Sequence, residues 1–320
     1  MSQGNASGIA TGRAAACDRR RFLRALAALS AGALNRPSLG FDSAKPLLSR
    51  RIPSTGEALP LVGLGSWITF NVGNDRVARD ACADVMRDFL DAGGRMIDSS
   101  PMYGSSQEVI GYGLAKLGRP PRVFSADKVW ISSGASGRAQ IAKSRERWNV
   151  SRFDLVAVHN LLSWKEHLPT LFAMKAAGEV RYVGVTTSED RRLEEIETVM
   201  RGHALDFIQV SYSAVERRVE ARILPLARDR GIAVVINRPF REGALIRAMK
   251  RHPLPSWASE ADCANWAEFL LKFIVSHPGV TCAIPATTRV DHVRENMGAC
   301  YGRLPDEPMR RRMSAYVEQM

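Results

Sequence analysis

Little in this 320-residue chain points to a metal, a disulfide scaffold or a nucleic acid. Five cysteines (17, 82, 263, 282 and 300) form no CxxC pair and no Cys/His cluster at zinc-binding spacing, and the six histidines are scattered. No disulfide framework and no metal centre is expected. Cys282, inside the apolar run VTCAIP, suits a small buried thiol. The net charge of +12 has no basic stripe interleaved with aromatics behind it. Residues 1–33 hold five arginines and one aspartate, a net +4, which leaves +8 for the remainder, with one tight run at Arg310-Arg311-Arg312. That pattern reads as a solvated surface, so no nucleic-acid partner is expected. The sequence also lacks a GxGxxG turn, an internal repeat and an interdomain linker. At 45% hydrophobic and 24% charged residues, it has the composition of a globular chain with a full core.

What is present begins with DRRRFLR at residues 18–24: paired Arg19 and Arg20, then Phe22-Leu23 and the basic Arg24. The apolar stretch ALAALSAGAL (25–34) follows, too short for a stable membrane span, which needs roughly 20 residues. Ala31-Gly32-Ala33 offers a small-x-small cleavage site, with a later cut near Ala44 as the alternative. This stretch resembles the twin-arginine export signal; an Arg/Ala-rich disordered tail and an organelle transit peptide are the other readings. The resemblance implies a signal peptide and linker over residues 1–44 and a single domain over 45–320. It also implies the twin-arginine export machinery as a partner, the periplasm as destination, and folding, with any cofactor bound, before transport.

From residue 51 short apolar or β-branched segments recur. PSTGEALP (53–60) reads as the turn of a small hairpin. Eight strand candidates follow: LVGLGSW (61–67), RMIDSS (95–100), RVFSADKVW (122–130), FDLVAVHN (153–160), VRYVGVTTS (180–188), FIQVSYS (207–213), IAVVINRPF (232–240) and VTCAIPATT (280–288). Between them lie segments of helical character, among them RVARDACADVMRDFLDAG, KEHLPTLFAMKAAG and VEARILPLARDRG, each closing on a glycine that suits a helix C-terminus. SGRAQIAKSRERWN, also placed as a helix, is polar. Eight strand–helix units in about 250 residues predict an α/β fold, the closed (β/α)8 TIM barrel. An open doubly wound sheet, the rival, usually carries the glycine-rich turn that is missing here.

In such a barrel the chemistry gathers at the C-terminal ends of the strands. RMIDSS ends on Asp98 with Tyr103 in the loop beyond, VFSAD runs into Lys128, and LVAVH ends on His159. Singly, Lys128 reads as a loop lysine and His159 as a satisfied core histidine. Together, a carboxylate, a phenol, an ammonium and an imidazole at matching ends of three neighbouring strands form a set. A phenol with an ordinary pKa near ~10 is a poor acid at neutral pH. An adjacent ammonium is expected to favour the phenolate and lower that pKa, while Asp98 keeps Lys128 charged. His159 would orient a carbonyl by a hydrogen bond. The set suits proton donation to a developing alkoxide, half of a carbonyl reduction. The other half is a hydride, which no side chain supplies and a nicotinamide cofactor does.

Over residues 51–300 the chain resembles the aldo-keto reductases, (β/α)8 barrels that use NADPH. Asp98 and the run SSPMYGSSQEVIG after it match the family's aspartate-to-tyrosine stretch, ADKV carries its lysine and LVAVHN its histidine. The resemblance therefore implies Asp98, Tyr103, Lys128 and His159 as catalytic residues. It places Gly65 and Ser66 near the nicotinamide ribose and makes Trp67 an apolar wall of the substrate pocket. Thr186 and Thr187, where the family often has Ser-Asn, and Gln209 face the carboxamide. The loop INRPFREGAL, with Pro239, Phe240, Arg241 and Gly243, wraps the pyrophosphate, and Asn237 and Arg238 stand where the family commonly offers a stacking aromatic. In IPATTRVDHVREN, Thr287, Thr288 and Arg289 face a 2′-phosphate at a helix start, and Glu295 and Asn296 hold the adenine. Ala286 and His292 replace a lysine and an arginine of the family pattern, and Arg289 favours NADPH over NADH. The expected function is NADPH-dependent reduction of an aldehyde or ketone carbonyl. A nucleotide-binding barrel that senses redox state without turnover is the alternative; a metal-dependent barrel hydrolase lacks ligands.

Overall fold

Side chains that alternate along a strand put half of themselves inside a closed barrel and half against its helices. That alternation decides where each polar group of this chain ends up. The computed structural model of the protein describes residues 46–120 and 122–320, and the export signal expected over residues 1–44 lies outside the described residues. An antiparallel hairpin, β1 (Ser49–Arg51) and β2 (Ala58–Pro60), comes first. Eight parallel strands follow: β3 (Leu64–Gly65), β4 (Met96–Asp98), β5 (Phe124–Val129), β6 (Phe153–Val158), β7 (Val180–Thr186), β8 (Phe207–Ser211), β9 (Ala233–Asn237) and β10 (Cys282–Ala283). They pair in chain order, and the ends meet where Val62 pairs with Ala283 and Gly65 with Ala286. The fold is the expected (β/α)8 TIM barrel. Gly65 is needed at this seam, because a Cβ there would stand 2.7 Å from the Ile284 carbonyl oxygen.

Inside the barrel Met96, Phe124, Leu155, Tyr182, Phe207 and Val235 form one apolar cluster, which the hairpin residues Ile52 and Leu59 join. The alternate residues Ile97, Val156, Val183, Ile208 and Val234 belong to the larger cluster shared with the helices. Two residues further along each strand, on the interior parity, the apolar series stops. Met96 gives way to Asp98, Ala126 to Lys128, Phe207 to Gln209 and Val235 to Asn237, with His159 on the same parity just past β6. The barrel therefore ends in a polar layer.

The helices close as the sequence predicts. Arg76–Asp91 starts at Asp75, whose carboxylate accepts from Ala78 N–H at 2.9 Å, and buries Cys82, Val85, Met86 and Phe89 at spacings of three, one and three. Polar SGRAQIAKSRERWN does form a helix, Gly134–Trp148, because Ile141 and Trp148 are buried and Asn149 caps it in the left-handed region. Several further helices carry no pattern that singles them out, among them Trp266–Val275 and Glu307–Glu318. The first is buried on nearly every side, which erases its periodicity. The second carries the triple arginine, and Arg310 is not a solvated charge: it is buried, donating to the Tyr212 hydroxyl at 2.7 Å and Glu220 at 2.9 Å.

Candidate active site

Asp98 and Lys128 stand on neighbouring strands in the polar layer, both nearly sealed from solvent. Lys128 Nζ donates to Asp98 Oδ1 at 2.6 Å and to Ser99 O at 2.7 Å, while Gln209 Nε2 donates to Asp98 Oδ2 at 3.0 Å. Burial alone would push the ammonium's pKa down; the Asp98 charge, Tyr103 and the Asp98 hydrogen bond outweigh it and hold it above the usual lysine value. Lys128 is a fixed cation. Its Nζ lies 5.2 Å from the centroid of the Tyr103 ring. A tight turn presents that ring: Tyr103 N–H donates to Ser100 O at 3.0 Å, and Gly104 follows at φ 60°, where a Cβ would collide with Asn71.

One expectation is corrected. Lys128 does pull the Tyr103 pKa down, but burial pushes it up by more and Asp98 adds to the rise, so the phenol lies above its ordinary value. Removing a phenolate from water costs more here than one ammonium returns. Tyr103 keeps its proton at neutral pH, the state a proton donor needs. His159 is buried beside it, ring centroids 5.6 Å apart and planes at 87°. Burial, then the Lys128 charge, push the imidazole pKa down to about 2, so the ring is neutral.

A cavity of about 550 Å³ opens on this set. Asp98, Tyr103 and His159 line it, and Lys128 lies beneath, outside the lining. From the loop after β3 come Gly65, Ser66 and Trp67, although the Ser66 hydroxyl is already donated to Asp98 O at 2.8 Å. Thr186 and Gln209 line the wall and bond each other at 3.2 Å. Thr187 does not reach the cavity; its hydroxyl accepts from Glu189 N–H at 3.1 Å in a local turn. Pro239, Phe240 and Gly243 line the wall after β9, but Arg241 is held away by Glu216 at 2.7 Å. Thr287, Glu295 and Asn296 complete the lining as placed, whereas Thr288 and Arg289 are exposed outside it. Arg289 donates to Asp291 at 2.9 Å, two residues on, so the guanidinium expected to face a phosphate is paired on the surface.

Other cavity residues escaped the sequence reading. Arg247 and Lys250 line the wall from the short helix Ala244–Met249 and its cap, with Lys250 Nζ 3.7 Å from Glu295. Arg238 also lines the cavity, its guanidinium carbon 5.9 Å from the Trp67 ring centroid. These residues fit a nicotinamide dinucleotide. Arg247, Lys250 and Arg238 suit its phosphates, and Gly243, at φ 84°, leaves backbone open where a Cβ would stand 2.7 Å from Arg247. Among the described residues no group of three or more His, Cys, Asp or Glu is placed to hold a metal, and no helix is long and apolar enough to cross a membrane.

Comparison with known proteins bears on the family and the fold. The chain is 26% identical over 246 residues to methylglyoxal reductase YeaE of Escherichia coli, covering 75% of this chain and 84% of that protein. It is 26% identical over 260 residues to an NADH-specific methylglyoxal reductase of the same organism, covering 70% and 78%. In structure it resembles an aldo/keto reductase from Klebsiella pneumoniae in complex with NADP and acetate, with a TM-score of 0.69 at 23% identity over 82% of this chain and 93% of that one. A model of the Aldo/keto reductase family matches residues 61–316, from the first barrel strand to the last helix. That span takes in every strand of the barrel and the whole polar layer at its rim, and the chain belongs to the aldo/keto reductase family.

Proposed function

We propose that Tyr103 donates the proton when this protein reduces an aldehyde or ketone, with His159 orienting the carbonyl and Lys128 and Asp98 fixing the charge around the phenol. Family membership makes the protein an NAD(P)H-dependent oxidoreductase that reduces carbonyls. The observation that carries the residue assignment is the buried Asp98–Lys128 pair at 2.6 Å beneath a protonated Tyr103 and a neutral His159 on one cavity wall. The dinucleotide, when bound, supplies the hydride. The chain's own residues do the rest: Lys128 stabilises negative charge left on the Tyr103 oxygen after proton loss, and Asp98 keeps that ammonium from drifting. Gln209 holds the second oxygen of Asp98, so the pair cannot rotate out of register.

NADPH is the preferred cofactor in this reading. Its support is Arg247 and Lys250 on the cavity wall rather than the surface-paired Arg289. Small carbonyls are the proposed substrates. Trp67, Met102 and Phe240 give the mouth an apolar wall, and the two methylglyoxal reductases among the relatives favour short aldehydes and dicarbonyls. Export by the twin-arginine route to the periplasm, loaded with dinucleotide, is proposed on DRRRFLR alone. The test of the activity is a panel of aldehydes and dicarbonyls with NADPH and NADH in parallel. Turnover with at least about tenfold higher kcat/KM for NADPH is expected, the effect of about 1.4 kcal/mol of extra binding. Dinucleotide binding without consumption over the whole panel would favour the redox-sensing alternative.

A further inference from the structure

We infer that Ser100 is a positioning residue that fixes which nitrogen of His159 carries the proton, and that it anchors Tyr103 through the same turn. This rests on the reading that His159 orients the substrate carbonyl. Ser100 is fully buried, yet it is a polar residue. Its Oγ lies 2.7 Å from His159 Nδ1 and accepts the Met102 N–H at 3.2 Å. A hydroxyl has one proton to give. With Met102 occupying a lone pair, Nδ1 is the acceptor the described residues offer that proton. The imidazole is neutral and so holds a single N–H. If Nδ1 accepts, the proton sits on Nε2, and the hydrogen bond the ring makes to the described residues is the one at Nδ1. His159 lines the cavity, so the free N–H is the group left to meet a carbonyl oxygen.

The opposite tautomer fails on charge. It would turn a lone pair on Nε2 toward the carbonyl oxygen and repel the atom it is meant to hold. One buried hydroxyl therefore chooses between attraction and repulsion. The same residue does a second task with its backbone, since Ser100 O accepts the Tyr103 N–H at 3.0 Å. Ser100 thus holds the orienting ring with its side chain and the proton donor with its carbonyl. Removing the hydroxyl separates the two roles, because an alanine keeps the carbonyl that holds Tyr103 N–H and releases the ring, together with the Met102 N–H.

The test is nitrogen-15 NMR of histidine-labelled protein, with His159 assigned by its loss in His159→Gln. The wild type should show His159 protonated at Nε2. In Ser100→Ala that signal should shift toward exchange between tautomers, and kcat should fall by about tenfold to a hundredfold, the size of one lost hydrogen bond to a buried group. Dinucleotide affinity should stay within about twofold, and Ser100→Thr should restore both the signal and part of kcat. A wild-type spectrum with the proton on Nδ1 overturns the inference, and so does a Ser100→Ala protein with the wild-type tautomer and undiminished kcat. If Ser100→Ala does not fold, the wild-type spectrum alone decides. Because that spectrum needs no substrate, it also separates this inference from the catalytic reading: an inactive carbonyl panel would sink the latter and leave the tautomer assignment standing.

Discussion

His159 has an ordinary histidine value of 6.5 in an unfolded chain and about 2 in the fold. Between those values the folded state binds fewer protons than the unfolded one, so stability rises with pH there. The contribution is present above the unfolded pKa and is lost as pH falls toward the folded one. The urea midpoint should therefore drop between about pH 7 and pH 4, and His159→Gln should flatten that drop. A variant with the wild-type slope would contradict the assignment. Activity has a different dependence. A ring neutral across this window gives carbonyl reduction no acid limb of its own, while the alkaline limb belongs to Tyr103. Burial places that limb above the ordinary phenol range, so reduction should hold through about pH 9. Steady-state rates from about pH 6 to pH 9 check this, and a limb centred near neutrality would point to another titrating group.

The hairpin β1–β2 shows how a small element stabilises the far side of the barrel from the site. Glu57, in its turn, bonds Arg95 at 3.0 Å and the Tyr182 hydroxyl at 2.9 Å, and also pairs with Arg181. Glu57→Ala leaves two guanidinium groups short of a partner at a half-buried position and should cost about 1–3 kcal/mol in chemical denaturation. The kcat should stay within about twofold, because none of these groups lines the cavity. Gly65→Ala is the counter-case. A Cβ 2.7 Å from the Ile284 carbonyl oxygen must open the seam between β3 and β10, so stability and kcat should fall together. Elements also explain what the sequence could reveal. Short apolar segments ending in Asp98, Lys128 and His159 were legible, because a buried strand that stops on a polar group marks the barrel rim. Arg247 and Lys250 were hidden by a helix of six residues, too short to show a face. The direction of the Tyr103 shift was hidden for another reason: it depends on how much water burial removes, and no spacing encodes that.

At the scale of the whole molecule, the proposed export signal and the barrel together would make one physical demand. A reductase that leaves the cytoplasm must fold first and carry its dinucleotide with it. Intact mass of protein recovered from its native host should place the new N-terminus after Ala33 or near Ala44, and native conditions should retain a bound dinucleotide. A chain that keeps residues 1–44 and holds no dinucleotide would count against the export proposal. The barrel itself serves one arrangement, a protonated phenol held over a buried ion pair beside a neutral imidazole. The most direct test is single-turnover oxidation of NADPH by Tyr103→Phe at saturating carbonyl, with dinucleotide affinity followed by fluorescence. The account predicts a rate at least about a thousandfold below wild type with affinity within a few-fold. A Tyr103→Phe protein that turns over at the wild-type rate would contradict it.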